Sequence, residues 1–420
     1  MPARASFRVR AMLLDAMAYD AFTIDTNIAD EASLNLTGGL LGQLTQFKDG
    51  QIEVVLSEIV VREMLKHLVD QVKKTHDTLV SAASRAENVR LVEGAAADGL
   101  NAIIEGLGEP KKIASKRLSD YFEAVGAELI PSALASVEDL VRGYFGASAP
   151  FEAAGAKKNE FPDAIALLSI EAWAKAAGKK VLAVSKDKGW IAFAEKSEWI
   201  DVERDFGKAL AIVQGHVAEA DERVAAFLAA LEAGGLPDLA EETERRLSDA
   251  VSDWNFMAEG SSAYSFEADI AELQFGEYAL KNIDGEYDFA IVRLGSNQVA
   301  VRIAASISAT ALADFSLSIY DSIDKDYVGM GGMSAEREIE FDGAFLLTLT
   351  GDLAGPADEL GVEGVELVDA VRQVDFGDIS PDYTDVDERD YEEWLADEQD
   401  ADVKADVEHH AAGLIGAAEF

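Results

Sequence analysis

Cysteine is absent from all 420 residues. Disulfides, thiolate zinc sites and cysteine nucleophiles are excluded with it, and a reducing cytoplasm suits such a chain. Histidine is scarce as well: of five, only His67 and His76 fall in the first half. No apolar run approaches the roughly 20 residues that span a bilayer. The N-terminal stretch puts three arginines ahead of an apolar patch, but Asp15 and Asp20 interrupt it and no small-residue cleavage site follows. It reads as part of a soluble cytoplasmic protein rather than a signal peptide. Positive charge is also short, with 36 Lys and Arg against 79 Asp and Glu, a net of −43.

That shortage is uneven. Residues 1–200 hold 28 acids and 23 bases, net −5, whereas residues 201–420 hold 51 acids and 13 bases, net −38. A uniformly salt-adapted composition predicts acid in both halves. Here the first half keeps cations that can meet phosphate, and the second repels polyanions on average. The hydrophobic fraction of 49% is ample for packed cores, and the length favours more than one domain.

The first half alternates strand and helix signals. Ala21–Asp25 and Ile52–Leu56 are short apolar runs. Ser57 then caps a helix from Glu58 to Val72 or beyond, with Val60, Met64, Leu68 and Val72 on one stripe. Charged helical sequence continues to about residue 125, with glycine breaks near Gly94, Gly106–Gly108 and Gly126. A strand at Ala127–Ile130, a helix at Ser136–Tyr144, and a Gly/Ala/Pro-rich loop from Gly146 to Asn159 come next. An apolar helix from about Glu160 to Gly178, a strand at Lys180–Val184, a short helix at Lys188–Phe193 and an edge strand at Trp199–Val202 complete the pattern. Such alternation predicts an α/β domain: a parallel sheet with helices on both faces, here carrying a helical insertion.

One helix is expected from Phe206 to Gly235, with Pro237 and the acidic run Glu241–Glu244 marking a boundary. Beyond it, Tyr264–Ile270, Gln274–Lys281, Tyr287–Leu294, Gln298–Ile307, Ala313–Tyr320 and Ala344–Leu349 read as strands of a β-rich (α+β) domain. From Gly377 Asp and Glu dominate, reading as a solvated acidic tail, with a short helix near Ala411–Ala418. The resulting division is 1–205, a helical linker 206–245, a β-rich domain 246–376 and a tail 377–420. Tyr320–Asp326 has a calcium-loop texture but lacks that motif's glycine and terminal glutamate, so it reads as an acidic turn.

Four acids gather at one end of the inferred sheet. Asp25 ends the first strand in Ile24-Asp25-Thr26-Asn27, and Asp187 follows the later strand in Val184-Ser185-Lys186-Asp187. Asp163 opens the apolar helix in Pro162-Asp163-Ala164-Ile165-Ala166, and Glu63 lies on the helix after the second strand, with Glu58 the competing choice. Taken singly, Asp25 and Asp187 are ordinary helix caps, Asp163 an ordinary dipole contact and Glu63 an ordinary surface acid. Together they repel unless a hard cation neutralises them. Oxygen-only ligation favours Mg²⁺ or Mn²⁺. Lys157, Lys158, Lys186 and Lys188 flank the Asp motifs as phosphate contacts, with Arg142 a weaker one. Each of these lysines taken singly is better explained by solubility. His67, His76 and the tail pair His409 and His410 read as non-ligands, and Trp190 as core rather than a base-stacking platform.

These four segments, across residues 20–205, resemble the PIN-domain nucleases. The resemblance implies hydrolysis of phosphodiesters, usually in RNA, with Asp25, Glu63, Asp163 and Asp187 holding one or two divalent ions and Asn27 orienting Asp25 or a water. The helical insertion and the long second half are closer to larger bacterial PIN-like proteins with a C-terminal extension than to the small toxin-like members. The expectation is an endoribonuclease dependent on Mg²⁺ or Mn²⁺, with RNA as partner and no membrane. For the tail the plainer reading is solubility; the alternatives are self-inhibition by mimicking nucleic acid or, through the C-terminal domain, a protein partner. The alternative is a catalytically degenerate RNA-binding or interaction protein of the same fold. A haloacid-dehalogenase-type phosphatase wants an acid two residues after its nucleophilic Asp, where this chain has Asn27.

Overall fold

The computed structural model describes residues 19–151, 160–215, 218–295, 297–322, 325–351 and 355–381. Lys157, Lys158, His409, His410, the helix expected at 411–418 and the tail from residue 382 lie outside the described residues. Packing groups the chain into two units. The first comprises residues up to Ser252 with 275–308 and 340–371; the second comprises 253–274, 309–339 and 372 onward.

The first unit is built on five short parallel strands: β1 (Ala21–Ile24), β2 (Glu53–Ser57), β3 (Glu128–Ile130), β4 (Val181–Val184) and β5 (Ile200–Glu203). They lie in the order β3-β2-β1-β4-β5. Every residue of β1 and β4 is buried, which explains why both read as unbroken apolar runs rather than alternating ones. The chain leaves β1 towards β2 and β3, and β4 and β5 lie on the other side. The winding therefore reverses between β1 and β4, and in open parallel sheets the crevice beyond such a point is where ligands bind.

The crossovers follow local signals. After β1 comes α1 (Thr26–Glu31), then α2 (Gly39–Gln43). After β2, the Ser57 hydroxyl accepts from Val60 N at 3.2 Å and starts α3 (Glu58–Asn88), which buries Val60, Met64 and Leu68 at intervals of four. The glycine breaks separate α4 (Ala95–Gly106) and α5 (Pro110–Val125), and Gly126 ends α5 at φ +69°. Next come α6 (Val137–Gly146) and α7 (Phe161–Ala177). Pro162 sits in the first turn of α7, where no helical N–H bond is lost. Then follow α8 (Lys188–Ala194) and α9 (Phe206–Gln214).

Three expectations for the second half are corrected. The helix from Phe206 to Gly235 is two, because Gly215 adopts φ +63° and ends α9 before α10 (Ala218–Glu232) begins. The acidic run Glu241–Glu244 lies inside α11 (Pro237–Ser252), where Glu242 pairs with Arg245 at 2.8 Å and with Arg246. Several short strands are long ones. Tyr264–Ile270 and Gln274–Lys281 merge into one strand, Ser265–Leu280, and Gln298–Ile307 and Ala313–Tyr320 merge into Gln298–Asp321. In the latter the small residues Ala309, Ala311 and Ala313 keep the buried alternation going. The following strand, Asp326–Thr350, starts well before the expected Ala344.

Part of this β-rich sequence completes the first unit. Ala290, Val292, Ala300 and Leu346 belong to the same buried cluster as Phe22, Leu56, Trp190 and Phe206. Gln46 donates to Val292 O at 2.8 Å, and Gly39 N donates to Glu366 at 2.7 Å. The second unit has its own small core of Ala313, Phe315, Leu317 and Ile379. Phe266 and Phe376 lie edge-on to Phe315 at 5.7 and 5.5 Å. Met257–Ser261 and Gln373–Asp378 pair there in parallel, so the first residues of the expected tail are strand.

Candidate active site

Asp25 and Asp187 close the two strands that flank the winding reversal. Asp25 N donates to Val184 O at 2.9 Å, so the sheet ladder itself carries Asp25 to the end of β4. Its side chain caps α1, accepting from Thr26 N at 2.6 Å. Asp187 caps α8, accepting from Gly189 N at 2.6 Å and Trp190 N at 3.2 Å. Both acids are thus helix caps, and in each the cap engages Oδ1, leaving Oδ2 outside the capping bonds.

Ser185 joins the two. Its fully buried hydroxyl donates to Asp25 Oδ2 at 2.7 Å and accepts from Asp187 N at 3.0 Å. Thr26 serves the next acid in the same way, donating Oγ1 to Glu63 Oε2 at 2.7 Å from α1 to α3. Asp163, in the first turn of α7, accepts from the indole Nε1 of Trp190 at 3.0 Å. Trp190 is fully buried, as a core residue rather than an exposed stacking platform. Ser185, Thr26 and Trp190 were not singled out from the sequence as partners of the acids. The signal was present in that each stands within three residues of an acid at an element boundary.

The four carboxylates differ in their surroundings. Asp25 is 5% exposed, and burial pushes its carboxyl up to about 7, against the lowering effect of the Ser185 hydroxyl and with the charges of Asp163 and Asp187 adding to the rise. Burial likewise raises Asp163 to about 6, against the indole bond, with Asp187, Glu63 and Glu160 contributing repulsion. Glu63 is half-buried and Asp187 exposed. Glu58 points elsewhere: it accepts from Ser132 N at 3.0 Å and Ser132 Oγ at 2.6 Å and pairs with Arg62, and these bonds hold its carboxyl down at about 2.

Asn27 lies half-buried on the first turn of α1, and its Oδ1 is buried without a hydrogen-bond partner. Of the flanking cations, Lys186 is paired with Glu31 at 2.6 Å, and Arg142 with Glu138 and Asp139 at 2.6 and 2.9 Å, while Lys188 is exposed beside Asp187. His67 is engaged by Asp30 at 2.8 Å and His76 by Asp77 at 3.5 Å.

Among the described residues no group of three or more His, Asp or Glu side chains is arranged to hold a metal ion. Each of the four acids is instead turned onto a donor of the protein. The donor chemistry still suits a hard divalent cation. It is oxygen-only, the acids repel one another, and an orphaned amide oxygen at Asn27 stands two residues from Asp25. None of the described helices is long and apolar enough to cross a membrane.

Residues 23–190, about two fifths of the chain, match the family model of the PIN domain. That span begins inside β1 and ends on Trp190, so it contains all four acids. No curated protein and no solved structure gives a significant match to the chain.

Proposed function

With residues 23–190 belonging to the PIN-domain family, we propose that the chain is a metal-dependent endoribonuclease whose site is formed by Asp25, Glu63, Asp163 and Asp187. The observation that carries this reading is the buried Asp25 carboxyl. It is held at the sheet's winding reversal, it feels the charges of Asp163 and Asp187, and burial raises it to about 7. A buried acid among acids is costly to keep, and family membership supplies a use for it. The proposed fourth ligand is Glu63 rather than Glu58, because Glu58 is committed to Ser132 and Arg62.

A divalent ion, Mg²⁺ or Mn²⁺, would be held by these four acids, with Asn27 Oδ1 available to orient a water. When bound, such an ion supplies Lewis acidity at phosphate and acidifies water near neutral pH. The chain's own residues do the rest. Ser185 and Thr26 fix the rotamers of Asp25 and Glu63, and Lys188 offers exposed positive charge to a neighbouring phosphate.

Asp25→Asn and Asp163→Asn are expected to fold and to lose RNA cleavage by more than the roughly 10–100-fold that removal of a ligand's hydrogen-bond partner costs. Wild-type rates from both variants with Mg²⁺ and Mn²⁺ present would refute the site assignment. The second reading, a degenerate RNA-binding relative, is favoured by the acids facing protein donors in place of one another. Calorimetric titration with Mn²⁺ separates the two, since a degenerate site gives no stoichiometric binding.

A further inference from the structure

Trp190 has one polar atom, the indole Nε1–H, which can only donate. The ring is fully buried in the core of the first unit, where an unpaired N–H would cost free energy. Its partner is Asp163 Oδ1 at 3.0 Å, and the backbone N–H of the same residue meets Asp187 Oδ1 at 3.2 Å. One residue of α8 therefore grips two acids, one on α7 and one in the turn after β4. The turn that brings it there is tight. A Cβ on Gly189 would fall 2.9 Å from both Asp187 Oδ1 and Pro150 Cβ, so glycine is needed for α8 to start this close to the site.

Core filling alone does not require this arrangement, because phenylalanine or leucine would supply bulk without a polar atom to satisfy. Base stacking is excluded by burial. We propose that Trp190 is a positioning residue: its indole N–H engages Asp163 Oδ1 and so fixes the rotamer of that carboxylate, while its backbone N–H holds Asp187 in register, setting both acids for the divalent cation they would hold. This rests on the metal-dependent nuclease reading above.

The test uses the full chain with two replacements at position 190. One is Trp190→Phe. The other is the benzothiophene analogue of tryptophan, which keeps the ring outline and replaces the N–H by sulfur, so that packing survives if phenylalanine does not fold. Mn²⁺ affinity is measured by calorimetry, folding by thermal melting, and cleavage as separate kcat and KM. Folded variants are expected to bind Mn²⁺ about 10–100-fold more weakly, and to lose kcat with KM for RNA unchanged. Introduced into Asp163→Asn, the replacements should add no further loss in Mn²⁺ affinity, because the carboxylate they would orient is already gone. Wild-type Mn²⁺ affinity in the folded analogue overturns this inference and leaves the nuclease reading standing. Absence of Mn²⁺ binding by the wild-type protein overturns both.

Discussion

Ser185 donates its hydroxyl to Asp25 Oδ2 across 2.7 Å, and in doing so ties the acid that ends β1 to the strand that carries Asp187. The bond lies where nothing is exposed: Ser185 is 0% and Asp25 5% accessible. Ser185→Ala would leave a buried carboxylate oxygen without its donor, at about 1–3 kcal/mol. The variant is expected to melt earlier and to bind Mn²⁺ roughly tenfold more weakly, with Ser185→Thr recovering both. An alanine variant indistinguishable from wild type in melting and in calorimetry would remove Ser185 from the site.

Glu63 and Glu58 are one turn and a residue apart on α3, yet they face different partners. Glu63 takes the Thr26 hydroxyl, and Glu58 takes Ser132 and Arg62. Glu63→Gln is expected to weaken Mn²⁺ binding and cleavage together. Glu58→Gln should leave both unchanged and lower the melting temperature only slightly. The reverse ranking in a cleavage assay would transfer the role to Glu58.

Burial raises Asp25 to about 7 and Asp163 to about 6, from an ordinary value of 3.8. The folded state therefore keeps protons that the unfolded chain has already released. The corresponding stability is complete below about pH 4 and is lost as pH rises through 6 and 7. With chelator present the protein should be less stable at pH 8 than at pH 5, by an amount on the order of a few kcal/mol. Asp25→Asn should flatten that slope, and Mg²⁺ should restore stability at pH 8. Glu58, held down at about 2, acts in the opposite direction and below pH 4.5, outside this window. Thermal melts at the two pH values, with and without Mg²⁺, measure the effect. Equal stability at pH 5 and pH 8 in chelator would contradict it.

Leu346 stands far along the chain from the acids but is fully buried in the same cluster as Phe22 and Phe206. Leu346→Ala is expected to destabilise the first unit by about 2–5 kcal/mol. A chain ended at Ser252 would also lose Ala290, Val292 and Ala300 from that cluster and should be recovered as aggregate. Recovery of a folded, monodisperse 1–252 fragment would show that the first unit does not need them.

The sequence by itself determined the α/β half closely. Its strands end within one or two residues of where apolar runs stop, since a buried parallel strand admits little else. Its helices start at Ser57 and near Pro162 and stop at Gly126 and Gly178, since caps and left-handed glycines act locally. Those same local rules put Asp25, Asp163 and Asp187 at element ends. Only the tertiary structure decided the rest. The direction of each carboxylate depends on donors from other elements: Thr26 across to α3, Ser185 across to β1 and Trp190 across to α7. The burial that raises Asp25 is likewise set by neighbours distant in sequence. In the β-rich half, alternating small residues did not say where one strand ended and the next began, because register between antiparallel strands is fixed by the partner and not by the strand alone. The recruitment of Val292 and Leu346 into the first core left no local trace. The returning acidic site is therefore a local pattern whose chemistry is set by contacts at long range.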